Sequence, residues 1–414
     1  MLRLVPSIVA FIPLLLLAAC TDEPRPTAPG DPRRDELEAP AANGRLGDPL
    51  PGLSNIEMHM FRRGKYLFQV QFTKQEGLGP TFNARSCAAC HDDDDGTDSV
   101  FGGAGDGLET HFTRLNADAS CSTLAIHGGF VRQDSVTSLL QPYFTTEPLP
   151  SGQHQLAQRT TTDLFGLGLI AAIPDAAILA RADPNDANGD GISGRAHMVG
   201  GVVGRFGRKA AGTGLDGFNA GALLNEMGIT NPLFTQENRV GSWVIGGDSI
   251  PASVDPVPDS IFEMNSAGLD TLNAFVRFLA PPPSTVPNTT AELWGEALFD
   301  SIGCTSCHTP EVYTTVSSIP SLNGRTVRPF SDFLLHDMGP QLGDICLGNA
   351  GPTEFRTEPL MGARHMRVYL HDGRATTLNQ AIYQHGGEAA AARDAYSGLS
   401  ADQHDAVIAY IRTL

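Results

Sequence analysis

The chain has 414 residues, 41% of them hydrophobic, and a formal net charge of −18. That length allows two or three domains with real cores. The acidity argues against nucleic acid as a partner and suits a basic redox protein. The 45 glycines and 29 prolines predict a large share of loop.

Residues 1–20 read as a signal segment. Arg3 precedes an apolar run, residues 5–19, that is too short to span a bilayer. It ends in Leu17-Ala18-Ala19-Cys20. Small residues ahead of a cysteine resemble the lipobox of bacterial lipoproteins. This predicts lipidation at Cys20 and, with Thr21 in place of aspartate, an outer-membrane lipoprotein facing the periplasm. The membrane is then a partner only through that anchor. Residues 21–51, rich in proline and charge, predict a disordered tether.

Two stretches carry chemistry. Cys87-Ala88-Ala89-Cys90-His91 and Cys304-Thr305-Ser306-Cys307-His308 both read C-x-x-C-H, the attachment signature of a c-type haem. At that spacing two thiols reach the two vinyl groups of one porphyrin, and the adjacent histidine ligates the iron. Two covalently bound haem c groups are expected, with His91 and His308 as iron ligands. The alternative is a zinc or thiol-redox C-x-x-C pair that happens to precede histidine. Of the seven cysteines, Cys121 and Cys346 remain after the lipobox and the haem motifs. In an oxidising compartment they could pair, with Cα atoms roughly 4.4–6.8 Å apart.

Each haem motif lies in a repeated setting. Gly64 and Phe68 precede the first motif as Gly295 and Phe299 precede the second. A small residue on such a helix lets a second helix approach closely. That second helix also repeats: residues 274–279 match residues 409–414, with apolar stripes at helical spacing (Leu269, Leu272, Phe275, Val276, Leu279; Val407, Tyr410, Ile411, Leu414). Ser400 with Gln403 makes a capping box. The predicted fold is mainly α. Two cytochrome-c-like domains, residues 52–280 and 289–414, are joined by the Pro-rich linker 281–288. The first is enlarged by loop-rich insertions, in which residues 164–173 read as a buried segment.

Within the enlargement, Asp186, Asn188 and Asp190 fall at positions 1, 3 and 5 of an EF-hand-like loop. Gly191 is at position 6, and Ile192 offers its carbonyl at position 7. Position 12 is His197 rather than glutamate, so the expectation is a shorter calcium loop, with Asp183 available as a further ligand.

The sixth ligand decides what each haem does. For the His308 haem the expected ligand is Met338, with Met361 and Met366 as rivals. For the His91 haem, Met227 and His111 are the candidates, with His127 a further one. Glu226-Met227-Gly228 echoes Asp337-Met338-Gly339, which makes Met227 the internal-repeat counterpart, and His111, twenty residues beyond His91, stands equal to it as a displaceable ligand.

These residues together resemble the bacterial di-haem c-type oxidoreductase family, some members of which are labelled thiol oxidoreductases. The match lies in residues 77–91, 183–195, Arg205-Phe206-Gly207-Arg208-Lys209-Ala210, residues 225–230, 333–340 and 354–374. The last stretch, with Tyr369-Leu370-His371-Asp372-Gly373, also looks like a segment of di-haem cytochrome c peroxidases. The resemblance implies that a C-terminal His/Met haem takes electrons from a small donor protein or a quinol-linked chain. It would pass them to an N-terminal haem that reduces peroxide, with calcium between the domains. It makes His91 and His308 proximal ligands and Met338 the distal ligand of the electron-receiving haem. Glu109 and His111 are the nearest matches to the catalytic acid–base residues. Two other functions are consistent with the residues: a non-catalytic electron-transfer cytochrome, and thiol oxidation through Cys121 and Cys346.

Overall fold

Four helix starts fix the frame, and each is written in the local sequence. Ser54 and Glu57 form a reciprocal capping box, as do Thr289 with Glu292 and Ser400 with Gln403; Asn265 caps a fourth helix onto the Gly268 amide. The described residues of this computed structural model are 45–92, 103, 107–123, 130–138, 140–142, 145–149, 152–237, 244–245, 248–249 and 263–414. The signal segment with Cys20, most of the tether, residues 93–95 and His127 lie outside them. The described residues all fall within one compact unit, Ala39–Leu414, and none of their helices is long and apolar enough to cross a membrane.

The described helices are α1 (Asn55–Gln69), α2 (Leu167–Ala171), α3 (Asp175–Leu179), α4 (Leu215–Met227), α5 (Ser266–Phe278), α6 (Thr290–Ser301), α7 (Leu378–Gln384), α8 (Ala390–Ser397) and α9 (Ala401–Ile411). The repeat expected from sequence is realised as two crossed pairs. α1 lies on α5 with Gly64 at the crossing, where a Cβ would sit 2.2 Å from the Thr271 carbonyl oxygen. α6 lies on α9 with Gly295 at the crossing, where a Cβ would sit 1.9 Å from the Ala406 carbonyl oxygen. One turn on, Phe68 meets Phe275 at 4.9 Å and Phe299 meets Tyr410 at 5.4 Å between ring centroids. A 3-10 turn carries each haem motif, Cys87–Ala89 and Cys304–Ser306.

The cores divide unequally. The C-terminal pair builds its own cluster from Phe299, Phe330, Tyr396, Val407, Tyr410 and Ile411. The N-terminal pair heads a larger cluster that takes in the buried residues of segment 164–173 and α4. This cluster continues past the 281–288 linker to Tyr313, Leu322, Val327, Phe333 and Leu334. The two halves therefore share apolar core.

The enlargement is more than loop. The strand Leu108–Leu115 pairs antiparallel with Gln155–Thr160, Val131–Arg132 and Cys121–Ser122. Sequence reading missed this sheet because its partners are two to six residues long and far apart. Cys121 is disulfide-bonded to Cys346, with Cα atoms 5.7 Å apart, as their leftover status suggested. The bridge ties the sheet to the C-terminal half.

Gly295→Ala should lower stability by at least about 2 kcal/mol, since backbone on α9 occupies the new methyl's place. Gly217→Ala, on an open face of α4 where a Cβ meets nothing within 4 Å, should stabilise by up to about 1 kcal/mol. Denaturant unfolding of the two variants compares them directly.

Candidate haem sites and the polar seam between them

The two histidines of the haem motifs are partly buried and poor bases. Burial pushes both His91 and His308 down to about 4, against the opposing pull of backbone at Gly103 and Thr162 for His91 and at Phe330 for His308. His308 Nδ1 lies 3.1 Å from the Phe330 carbonyl oxygen. Donation there fixes the tautomer and leaves Nε2 as a lone-pair ligand. The four motif cysteines are unpaired thiols, in contrast to Cys121 and Cys346.

A second internal repeat lies just beyond these contacts and escaped the sequence reading. Arg159-x-x-x-Asp163 and Arg328-x-x-x-Asp332 have the same spacing. Asp163 accepts the Phe165 amide at 2.9 Å and Asp332 the Leu334 amide at 3.0 Å. Each aspartate fixes the turn that follows the backbone lying against a haem-motif histidine.

Beside the first motif, the two expected catalytic residues are brought together. His111 Nε2 lies 2.8 Å from Glu109 Oε1 on the Leu108–Leu115 strand. The sequence reading missed their third member, Glu226. It accepts from Asn83 Nδ2 at 2.8 Å and hydrogen-bonds to Glu109. Burial, then the Glu109 carboxylate, holds Glu226 well above the usual carboxylate range. Burial and the cation of Arg159 push His111 down to about 3, so its ring is neutral. Burial, then Glu226 and Glu109, raises the Cys90 thiol to about 11, and the strand that carries Glu109 starts beside this motif, since a Cβ on Gly107 would sit 3.9 Å from Cys90 Sγ. Met227, the other candidate, is 2% exposed within the apolar core at the end of α4.

Beside the second motif, His336 is clamped between Asp332 (2.9 Å) and Glu388 (2.8 Å), with Cys307 Sγ at 3.9 Å. Burial opposes its charge, but these three bonds prevail and raise it to about 12. Met338 follows the strand Leu335–Asp337 and is partly buried. Its rivals Met361 and Met366 line a cavity with Phe165, Phe206 and Phe218, and the Met361 amide donates to the Pro329 carbonyl.

The calcium-loop side chains turn inward onto their own backbone. Gly191 donates to Asp186, Asp190 to Asn188 Oδ1 and Ile192 to Asp190 Oδ1. The loop's next residue, Ser193, donates to Glu388 Oε1 at 2.7 Å and so reaches the His336 clamp.

Residues 144–414 match the family described as "Di-haem oxidoreductase, putative peroxidase". The chain belongs to the di-haem oxidoreductase family. No curated protein matches it. Solved structures similar to it include the diheme peroxidase BthA from Burkholderia thailandensis (16% identity, 89% of this chain and 87% of that one, TM-score 0.42). Hydrazine synthase from Kuenenia stuttgartiensis is similar at 16% identity over 99% of both chains, with a TM-score of 0.40. A MauG-like protein associated with microbial copper homeostasis is similar at 16% identity over 91% and 94%, with a TM-score of 0.37.

A di-haem oxidoreductase implies two haems, and the residues present fit them. Each motif offers two unpaired thiols and a neutral, partly buried imidazole. Among the described residues, Cys307, Asp332 and His336 are the thiol, acid and imidazole groups that converge within 4.8 Å. Because Cys307 is one of the haem-motif thiols, this cluster is better read as part of the second haem's surroundings than as a separate metal centre.

A buried polar seam joins the two halves of the chain. Lys209 Nζ, with no exposed surface, donates to the carbonyls of Gly351 (3.0 Å), Pro352 (2.8 Å) and Glu354 (2.7 Å). It is also 2.9 Å from Asp344 and 3.6 Å above the Phe355 ring, which stacks on His371. Asp344 is shared with Arg159 at 2.6 Å. Burying these charges is costly, and only their mutual pairing offsets it. Lys209→Met leaves Asp344 and three carbonyls short of a cation. It should destabilise the fold by about 3–5 kcal/mol, seen as a lowered denaturant midpoint.

Proposed function

We propose that this di-haem oxidoreductase is an exported, lipid-anchored enzyme of peroxidase type. In this reading the haems are covalently attached at Cys87/Cys90 and at Cys304/Cys307. His308 and Met338 would hold the haem that receives electrons, and His91 would hold the one that supplies the reduction of peroxide or a related oxidant. The observation that carries the reading is the gathering of Glu109, His111 and Glu226 beside Cys90. At the second motif the polar group is instead a charged imidazole locked between two carboxylates.

Haem, when bound, supplies the one-electron chemistry. Reducing peroxide to two waters takes two electrons and two protons, and both protons come from solvent. Glu109 handles a proton already on peroxide: it takes it from the nearer oxygen and gives it to the departing one, so that the first water leaves, and the two solvent protons complete the second water. His111 donates its Nε2–H to Glu109 and aims the carboxylate. Glu226, protonated through burial and its neighbour's charge, hydrogen-bonds to Glu109 and is oriented by Asn83. Calcium bound by Asp186, Asn188, Asp190 and Ile192 belongs to the same proposal, because the loop connects through Ser193 to Glu388 and His336.

Glu109→Gln should lower peroxide turnover about 100-fold or more, with both haems retained by pyridine haemochrome. Cys121→Ser with Cys346→Ser should leave turnover unchanged. Turnover at the wild-type rate in Glu109→Gln would remove this residue from the mechanism. Loss of turnover in the double serine variant would favour thiol chemistry.

A further inference from the structure

The two crossed helix pairs are equivalent in construction and opposite in charge. α6 and α9 carry five carboxylates, Glu292, Glu296, Asp300, Asp402 and Asp405, against one basic residue, Arg412, at the C-cap of α9. α1 and α5 carry four basic residues, Arg62, Arg63, Lys65 and Arg277, against Glu57 and Asp270. Packing does not demand this difference, because the buried faces of both pairs are made alike, from a glycine and an aromatic ring. The protein's overall acidity does not explain it either, since one pair escapes that acidity.

The outer face of α6 adds a second feature. Gly295 and Phe299 face α9, so the opposite side presents Leu293, Trp294 and Ala297, exposed as a stripe. Leu293 is 52% exposed and Trp294 43%. Glu296 and Asp300 flank the stripe. Asp300 accepts from Thr305 Oγ1 at 2.8 Å, inside the second C-x-x-C-H motif. The stripe runs roughly 6 Å along the helix, and its rim continues through Asp300 to the turn that carries Cys304. An exposed tryptophan within a small apolar patch, rimmed by charge of one sign, is the composition of a protein-docking site.

We propose that the outer face of α6, with Trp294 and Leu293 at its centre and Glu296 and Asp300 at its rim, docks a small basic redox protein that delivers electrons to the His308 haem. This rests on the reading of that haem as the electron-receiving one. A second copy of the chain is disfavoured as occupant, since it would set two acidic faces against each other.

The test uses the holoprotein and, as probe, reduced mitochondrial cytochrome c, a small basic haem protein. Stopped-flow spectroscopy should show the His308 haem reduced at a rate that falls with salt. Glu296→Lys with Asp300→Lys should cut that rate at least about 10-fold at low ionic strength and flatten its salt dependence. Trp294→Ala should weaken the probe's affinity, measured by calorimetry, about 10-fold or more. Arg62→Glu with Arg63→Glu on α1 should leave both unchanged. Reduction by a small-molecule reductant at the wild-type rate would show that the variant haem sites are intact. Wild-type rate and affinity in the α6 variants would overturn the docking proposal. So would a dimer, seen by sedimentation, that dissociates on Trp294→Ala. If the probe instead reduces the His91 haem first, the reading of electron direction fails, whatever the α6 variants do.

Discussion

Backbone touching backbone, once in each half, is the contact on which the rest depends. At Gly64 and at Gly295 the partner helix supplies a carbonyl oxygen where any side chain would begin. That closeness puts one aromatic ring of each pair against its partner helix and sets the C-x-x-C-H turn just beyond the pair. A partly buried, neutral histidine at each turn follows from the same packing. With the two scaffolds so alike, the differences between the sites come from what is attached to them.

The attachments differ most in their polar groups. The N-terminal half acquires a four-stranded sheet whose longest strand holds Glu109 and His111 beside Cys90. The C-terminal half instead folds Glu388 over His336 and leaves a helix face of exposed tryptophan and carboxylates. The seam of Lys209, Asp344 and Arg159 joins them, and the Cys121–Cys346 disulfide crosses nearby. Apolar residues from beyond the linker complete the N-terminal core, so the halves do not have separate interiors. A buried seam of paired charges tolerates little displacement, because any separation leaves a charge unpaired in a dry interior. The relative placement of the two motifs is thereby held.

Much of this was legible in the sequence because its signals are local. The haem motifs, the Gly-x-x-x-Phe helices, the Ser400 capping box and the apolar stripes on α5 and α9 are patterns within a dozen residues, and the structure contains them all. Cys121 and Cys346 were found by elimination, which works at any separation. The polar groups were harder. Glu226 lies 143 residues from the Asn83 that orients it, and Arg159 lies 185 from Asp344. No spacing rule connects such partners. The short strands carried too few alternating residues to register, so the enlargement read as loop. The Arg-x-x-x-Asp repeat was present to be seen, but its importance comes from the carbonyls beside it, and carbonyls leave no mark in a sequence.

The inequality of the two haem sites is the central claim, and exogenous ligand binding tests it most directly. Cyanide should be titrated into oxidised and half-reduced holoprotein, followed by low-temperature EPR, with Glu109→Gln used to assign the responding haem. The account predicts that one haem binds cyanide, that its signal shifts in Glu109→Gln, and that the His308 haem stays unchanged. Binding at the His308 haem, or at neither haem in both states, would contradict it.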